Sequence, residues 1–111
     1  MHQILAESEK LNETIRNSEE YRRYLETKRT LYADEELFNA FREFRKKNYE
    51  LQNLQGVNPY DEVHTLVREY SDLIHNSKVS DFVRAEQRIC ALLRKSYNKI
   101  AEGLEFDDPN E

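Results

Sequence analysis

Tryptophan is absent from this chain, and cysteine occurs once, at Cys90. A single thiol excludes an intrachain disulfide and a single-chain cysteine cage for zinc or an iron–sulfur cluster. Two glycines and two prolines leave few turn signals, and no stretch alternates apolar and polar residues as a half-buried strand would. The chain is therefore expected to be helix joined by short connections. Apolar residues make up 38% of the 111 and charged residues 35%, against about 45–50% and about 25% in ordinary soluble domains. Core material is scarce, and there is room for one domain only.

No apolar run approaches the roughly 18 residues of a membrane span. The start, Met1-His2-Gln3-Ile4, lacks the basic and then apolar layout of a signal peptide, so a cytoplasmic location is expected. A net charge of -5 weighs against general affinity for DNA, RNA or anionic lipid. Catalytic signatures are missing as well: there is no serine elbow, no glycine-rich phosphate loop and no HExxH motif. His64 and His75 would stand about 16 Å apart on one helix, too far to share a metal. These absences point away from an enzyme, a metal and a cofactor.

What is present is helical periodicity. Val79, Val83, Glu86, Cys90, Leu93, Tyr97, Ile100 and Leu104 form an apolar seam with Glu86 as its one charged member. Phe82, Ile89 and Ala101 widen it, which predicts a helix from Val79 to Leu104 that packs against several others. Upstream, Ile4, Leu11 and Ile15 mark a helix over His2 to Arg16. Asn17 with Glu20 reads as a capping box opening a second helix through Tyr21, Leu25, Lys28 and Leu31. Asp34, followed by Glu35 and Glu36, opens a third that runs to about Gln55. Gln55-Gly56-Val57-Asn58-Pro59 is the clear break, and a fourth helix is expected from Pro59 to His75. Ser77 is the expected cap of the last helix.

The expected fold is thus all-α: about five helices, in antiparallel hairpins packed around the long C-terminal one. Residues 1–104 would form the domain and 105–111 an acidic, disordered tail. A chain poor in apolar residues but rich in apolar seams gains burial by association, so a homodimer or larger assembly is expected. The candidate interface comprises Phe41, Phe44, Val79, Phe82, Val83, Glu86, Ile89, Leu93, Tyr97 and Ile100.

Glu86 on that seam requires a cation or a hydrogen-bond donor, for which Lys28, Asn48 or an arginine of a second subunit are candidates. Its sharper role would be to penalise wrong pairings. Arg84, Arg88, Lys95 and Lys99 fall within about 60° of one another, on the side opposite the seam. With Arg42, Arg45 and Lys46, they are either solvated faces or docks for an acidic protein surface or an RNA backbone. Cys90, inside the seam, is expected to be a small buried hydrophobe.

With the helices placed, Lys78-Val79-Ser80-Asp81-Phe82-Val83-Arg84-Ala85-Glu86 resembles a stretch of the YlbF/YmcA (Com_YlbF) family of small bacterial helical proteins. Ser18-Glu19-Glu20-Tyr21 and Ala33-Asp34-Glu35-Glu36 resemble that family's helix starts. The resemblance implies a non-enzymatic helical regulator that oligomerises and binds other proteins: homologues, a YaaT-like protein, or RNase Y in RNA processing. It also implies a link to competence, sporulation and biofilm control. Some members have a cysteine-rich tail associated with iron–sulfur clusters; here residues 105–111 hold no cysteine. The alternative reading is a direct RNA-binding accessory protein using the basic helix faces.

Overall fold

A computed structural model describes residues 2–53 and 59–105, the side chains of 59–63 excepted. The expected break at residues 55–58 and the acidic tail from residue 106 onward lie outside the described residues. Among the described residues there are six helices and no strand. They are α1 (His2–Arg16), α2 (Glu19–Ala33), α3 (Glu35–Gln52), α4 (Pro59–Glu69), α5 (Ser71–Ile74) and α6 (Ser77–Ala101).

The chain is all-α, as its periodicity requires, with one helix more than expected. The extra element arises at Tyr70, where the fourth helix breaks at φ -107° and ψ 26°. Tertiary contacts hold this residue: its ring packs on Phe44 with centroids 5.4 Å apart, and its hydroxyl accepts a hydrogen bond from Lys47 Nζ at 2.8 Å. Periodicity along one helix carries no trace of such contacts.

The helix ends show which polar side chains are already engaged. Asn17 donates to the Glu13 carbonyl and so closes α1; it is Ser18, not Asn17, that caps α2 by accepting from the Tyr21 N–H at 3.2 Å. Similarly, Asn76 rather than Ser77 caps α6, through the Lys78 N–H at 2.9 Å. α3 ends at Gln52, where the Asn53 N–H turns back to Glu50. α6 ends at Ala101, short of Leu104, because Gly103 adopts φ 83°, a left-handed conformation suited to glycine just past a helix.

The corner between α2 and α3 is a single residue. Asp34 donates its N–H to the Leu31 carbonyl, accepts the Leu37 N–H at 3.2 Å, and reaches Lys78 Nζ of α6 at 3.5 Å. Asp34→Ala is therefore expected to lower stability by about 0.5–2 kcal/mol, the usual cost of a lost N-cap. Urea unfolding checks this; a change within error would mean that the corner stands without its cap.

α2 lies along α6 in the most extensive helix pair of the molecule. The two run antiparallel: Thr30 lies beside Lys78 at one end, and Glu19 and Glu20 lie beside Arg88 at the other. Leu31, Phe41, Leu73, Val79 and Phe82 form the core where α2, α3, α5 and α6 meet, with Tyr24, Leu37 and Phe44 packed against it. Thr27 is buried here too, its hydroxyl satisfied by the Arg23 and Tyr24 carbonyls. α1 contributes no buried residue. The molecule measures 51 × 38 × 16 Å with a radius of gyration of 18.5 Å, against about 13 Å for a compact chain of this length. It is a thin slab.

Candidate protein-docking site

The face that α6 buries is rotated from the sequence seam. Val79, Phe82, Ala85 and Ile89 are buried, and Leu92 continues this face half-buried. Of the expected interface residues, Phe41, Val79, Phe82 and Ile89 thus lie in the core of the chain itself. Phe44, Val83 and Glu86 are half-buried, and Leu93, Tyr97 and Ile100 are exposed. Cys90, expected to be buried, is exposed as well. The reason is the direction of approach. α2 lies against the Phe82–Ala85–Ile89 side of α6, so residues toward Cys90 are left at the margin.

Glu86 finds its cation on α3. Arg45 donates to both carboxylate oxygens, at 2.7 and 3.1 Å, and its guanidinium lies 5.1 Å from the Phe41 ring centre. This replaces Lys28 and Asn48 as the expected partners. Lys28 instead reaches the rings of Tyr24 and Tyr32, at 5.9 and 5.3 Å. The signal for Arg45 was its position four residues after Phe41, which sets it over the core-facing side of α3. About half of the Arg45 side chain is exposed, so the clamp orients α3 on α6 and adds at most about 1 kcal/mol.

The members of the two basic groups make different contacts. In the second, Arg42 lies over Phe38, Arg45 holds Glu86 and Lys46 is exposed. Neighbouring Lys47 reaches Glu43 and Tyr70, and the Tyr70 hydrogen bond raises its pKa above the ordinary lysine value. In the first, Lys99 pairs with Glu102 at 2.7 Å. Arg84 and Arg88 line a hollow together with Arg23 and Asp81, so the charge there is mixed. Nearby Glu19 is held below the usual carboxylate range by the hydrogen bonds and charge of Arg22.

A mainly apolar concavity is formed by described residues. It lies between α3, α5 and α6, has a volume of about 360 Å³, and is walled by Phe41, Phe44, Leu73, Ile74, Val79 and Val83. Ser80, Arg84 and Gln87 form its polar edge. Arg84 makes no ion pair among the described residues. The groove thus offers an apolar floor and a cation at its lip, an arrangement that captures a hydrophobic side chain with a carboxylate beside it. None of the described residues group as three or more His, Cys, Asp or Glu around a possible metal position. No described helix is long and apolar enough to cross a membrane.

Fold and groove together define a small all-helical protein whose surface presents apolar contact sites. The particular family follows from comparison. The chain belongs to the Com_YlbF family, described as control of competence regulator ComK, YlbF/YmcA, whose family model matches residues 4–105. It is similar to a UPF0342 protein of Caldicellulosiruptor bescii, 26% identical over 97 residues, covering 85% of this chain and 82% of the relative. It is also similar to UPF0342 proteins of Desulfitobacterium hafniense and Symbiobacterium thermophilum. Each is 28% identical, over 104 and 102 residues, covering 91% and 89% of this chain and 84% and 91% of the relatives. No solved structure matches the chain.

Proposed function

We propose that this protein is a non-enzymatic regulatory adaptor that works by holding a segment of another protein in the α3/α5/α6 groove. The observation that carries this reading is the groove itself: an apolar floor with Arg84, unpaired among the described residues, at its edge. Its ligand is a partner segment bearing one large apolar side chain next to an acidic residue. Membership of a competence-control family supports a regulatory role of this kind. YlbF/YmcA-like homologues, a YaaT-like protein and RNase Y are the partners to assay first.

The test is affinity capture of these candidates on the tagged chain, with and without ribonuclease, repeated with Arg84→Glu. Retention should be insensitive to ribonuclease and fall about tenfold with the charge reversal, equivalent to about 1.4 kcal/mol. Ribonuclease-sensitive retention would overturn this reading in favour of RNA binding along Arg84 and Arg88. Undiminished capture by the Arg84 variant would remove the groove from the interaction.

A further inference from the structure

The crevice between α2 and α6 carries charge as well as core. Within it is a hollow of about 150 Å³ lined by Arg23 of α2 and by Asp81, Arg84, Ala85 and Arg88 of α6. Three guanidinium side chains thus border one small space, and Ala85 adds only a methyl group to its lining. None of the three makes an ion pair among the described residues, and neither does Asp81. Local spacing explains why. Of the acids three or four residues from Arg23, Glu19 and Glu26 are taken by Arg22, while Glu20 lines the adjoining hollow without an ion pair. The positions three and four residues from Arg88 hold Arg84, Ala85, Ala91 and Leu92, none of them acidic. Arg84 and Arg88 stand one helical turn apart and repel each other, and Arg23 adds a third positive charge from the facing helix.

From this arrangement we infer that the α2/α6 hollow binds a phosphate monoester. Charge decides the class of ligand. Three arginines against Asp81 leave two positive charges, which the dianion of a monoester cancels; a carboxylate, or the phosphodiester of RNA, brings a single negative charge and cancels half. Shape agrees with charge. Guanidinium groups donate in pairs to the oxygens of a tetrahedral anion, and here they come from two helices, so that they approach it from more than one side. A hollow of this volume holds one such group and not a run of nucleotides. The basic stripe of α6 is divided accordingly. Lys99 pairs with Glu102 and lines a different hollow with Lys95, whereas Arg23, which no spacing along α6 could supply, joins Arg84 and Arg88. Arg84 also edges the apolar groove, but Arg23 and Arg88 do not line it, and through them the hollow is tested separately from the adaptor reading.

Isothermal titration of the full chain with methyl phosphate at about pH 8 should show one saturable site, with dimethyl phosphate and acetate at least about tenfold weaker. At about pH 5, below the second ionisation of the monoester, its affinity should fall about tenfold, while sulfate, a dianion at both pH values, changes by less than about threefold. Arg23→Gln and Arg88→Gln should each weaken methyl phosphate about tenfold and leave helical circular dichroism unchanged, because both side chains are exposed. Lys95→Gln should bind as the wild type does. No saturable binding by about 10 mM, equal affinity for methyl and dimethyl phosphate, or wild-type affinity in the Arg23 and Arg88 variants would overturn the inference. The same titration with phosphoserine in a capped Gly-Ser-Gly tripeptide identifies the carrier. Tighter binding than methyl phosphate supports a site for phosphorylated protein, and weaker binding a site for a small phosphate ester.

Discussion

Replacing Phe82 by alanine should lower stability by about 3–5 kcal/mol, the range for deleting a buried aromatic ring. The residue is 2% exposed and stands at the centre of the aromatic packing. Tyr24 of α2 lies 5.6 Å from it, Tyr32 6.5 Å, and Phe41 of α3 meets it edge-on at 5.8 Å. Removing the ring takes away transfer free energy and leaves a hole bordered by three helices. Against a typical total of about 5–15 kcal/mol, that loss is a large fraction of all the stability available. Urea unfolding followed by circular dichroism should show an earlier midpoint, with a loss of near-ultraviolet signal from the tyrosines around the cavity. A loss below 1 kcal/mol would mean that Phe82 does not hold α2, α3 and α6 together.

Leu31→Ala should be the second most damaging change, at about 2–5 kcal/mol. Leu31 is 0% exposed, in the last turn of α2, where the chain turns through Asp34 into α3. Leu25, on the same helix, is 37% exposed, and its replacement by alanine should cost under about 1 kcal/mol. The pair makes a controlled comparison: the same residue type is deleted from the same helix, with burial as the main difference. Equal losses would show that α2 faces α6 with a different side.

Much of this molecule is legible in its sequence. Asp34 was recognisable as a helix start because a carboxylate before Glu35 and Glu36 serves both the free N–H groups and the helix dipole, and it caps α3 through Leu37. The bounds of α1 agree with the spacing of Ile4, Leu11 and Ile15. Misplaced caps had local causes. Asn17 resembled a cap until its amide proved to be bonded to Glu13, and Gly103 stopped α6 before the apolar seam ran out. The candidate groove was less legible. Its walls come from three helices, and only Phe41, Phe44, Val79 and Val83 had been marked, for a different reason. Leu73 and Ile74 join them through a turn of helix that bends at Tyr70 because of contacts with Phe44 and Lys47.

By itself the sequence determined the class of fold and the limits of α1, since these depend on residue type and on interactions within a few positions. It also determined that Glu86 would need a partner, because a carboxylate on an apolar seam must be compensated. Only the tertiary structure decided that the partner is Arg45 and that α6 buries Phe82, Ala85 and Ile89 while leaving Cys90 and Leu93 outside. Periodicity defines an apolar sector of a helix but not which part of it a neighbour covers. That depends on where α2 begins and from which side it approaches, and these are set by Ser18, Asp34 and the packing of three rings on Phe82.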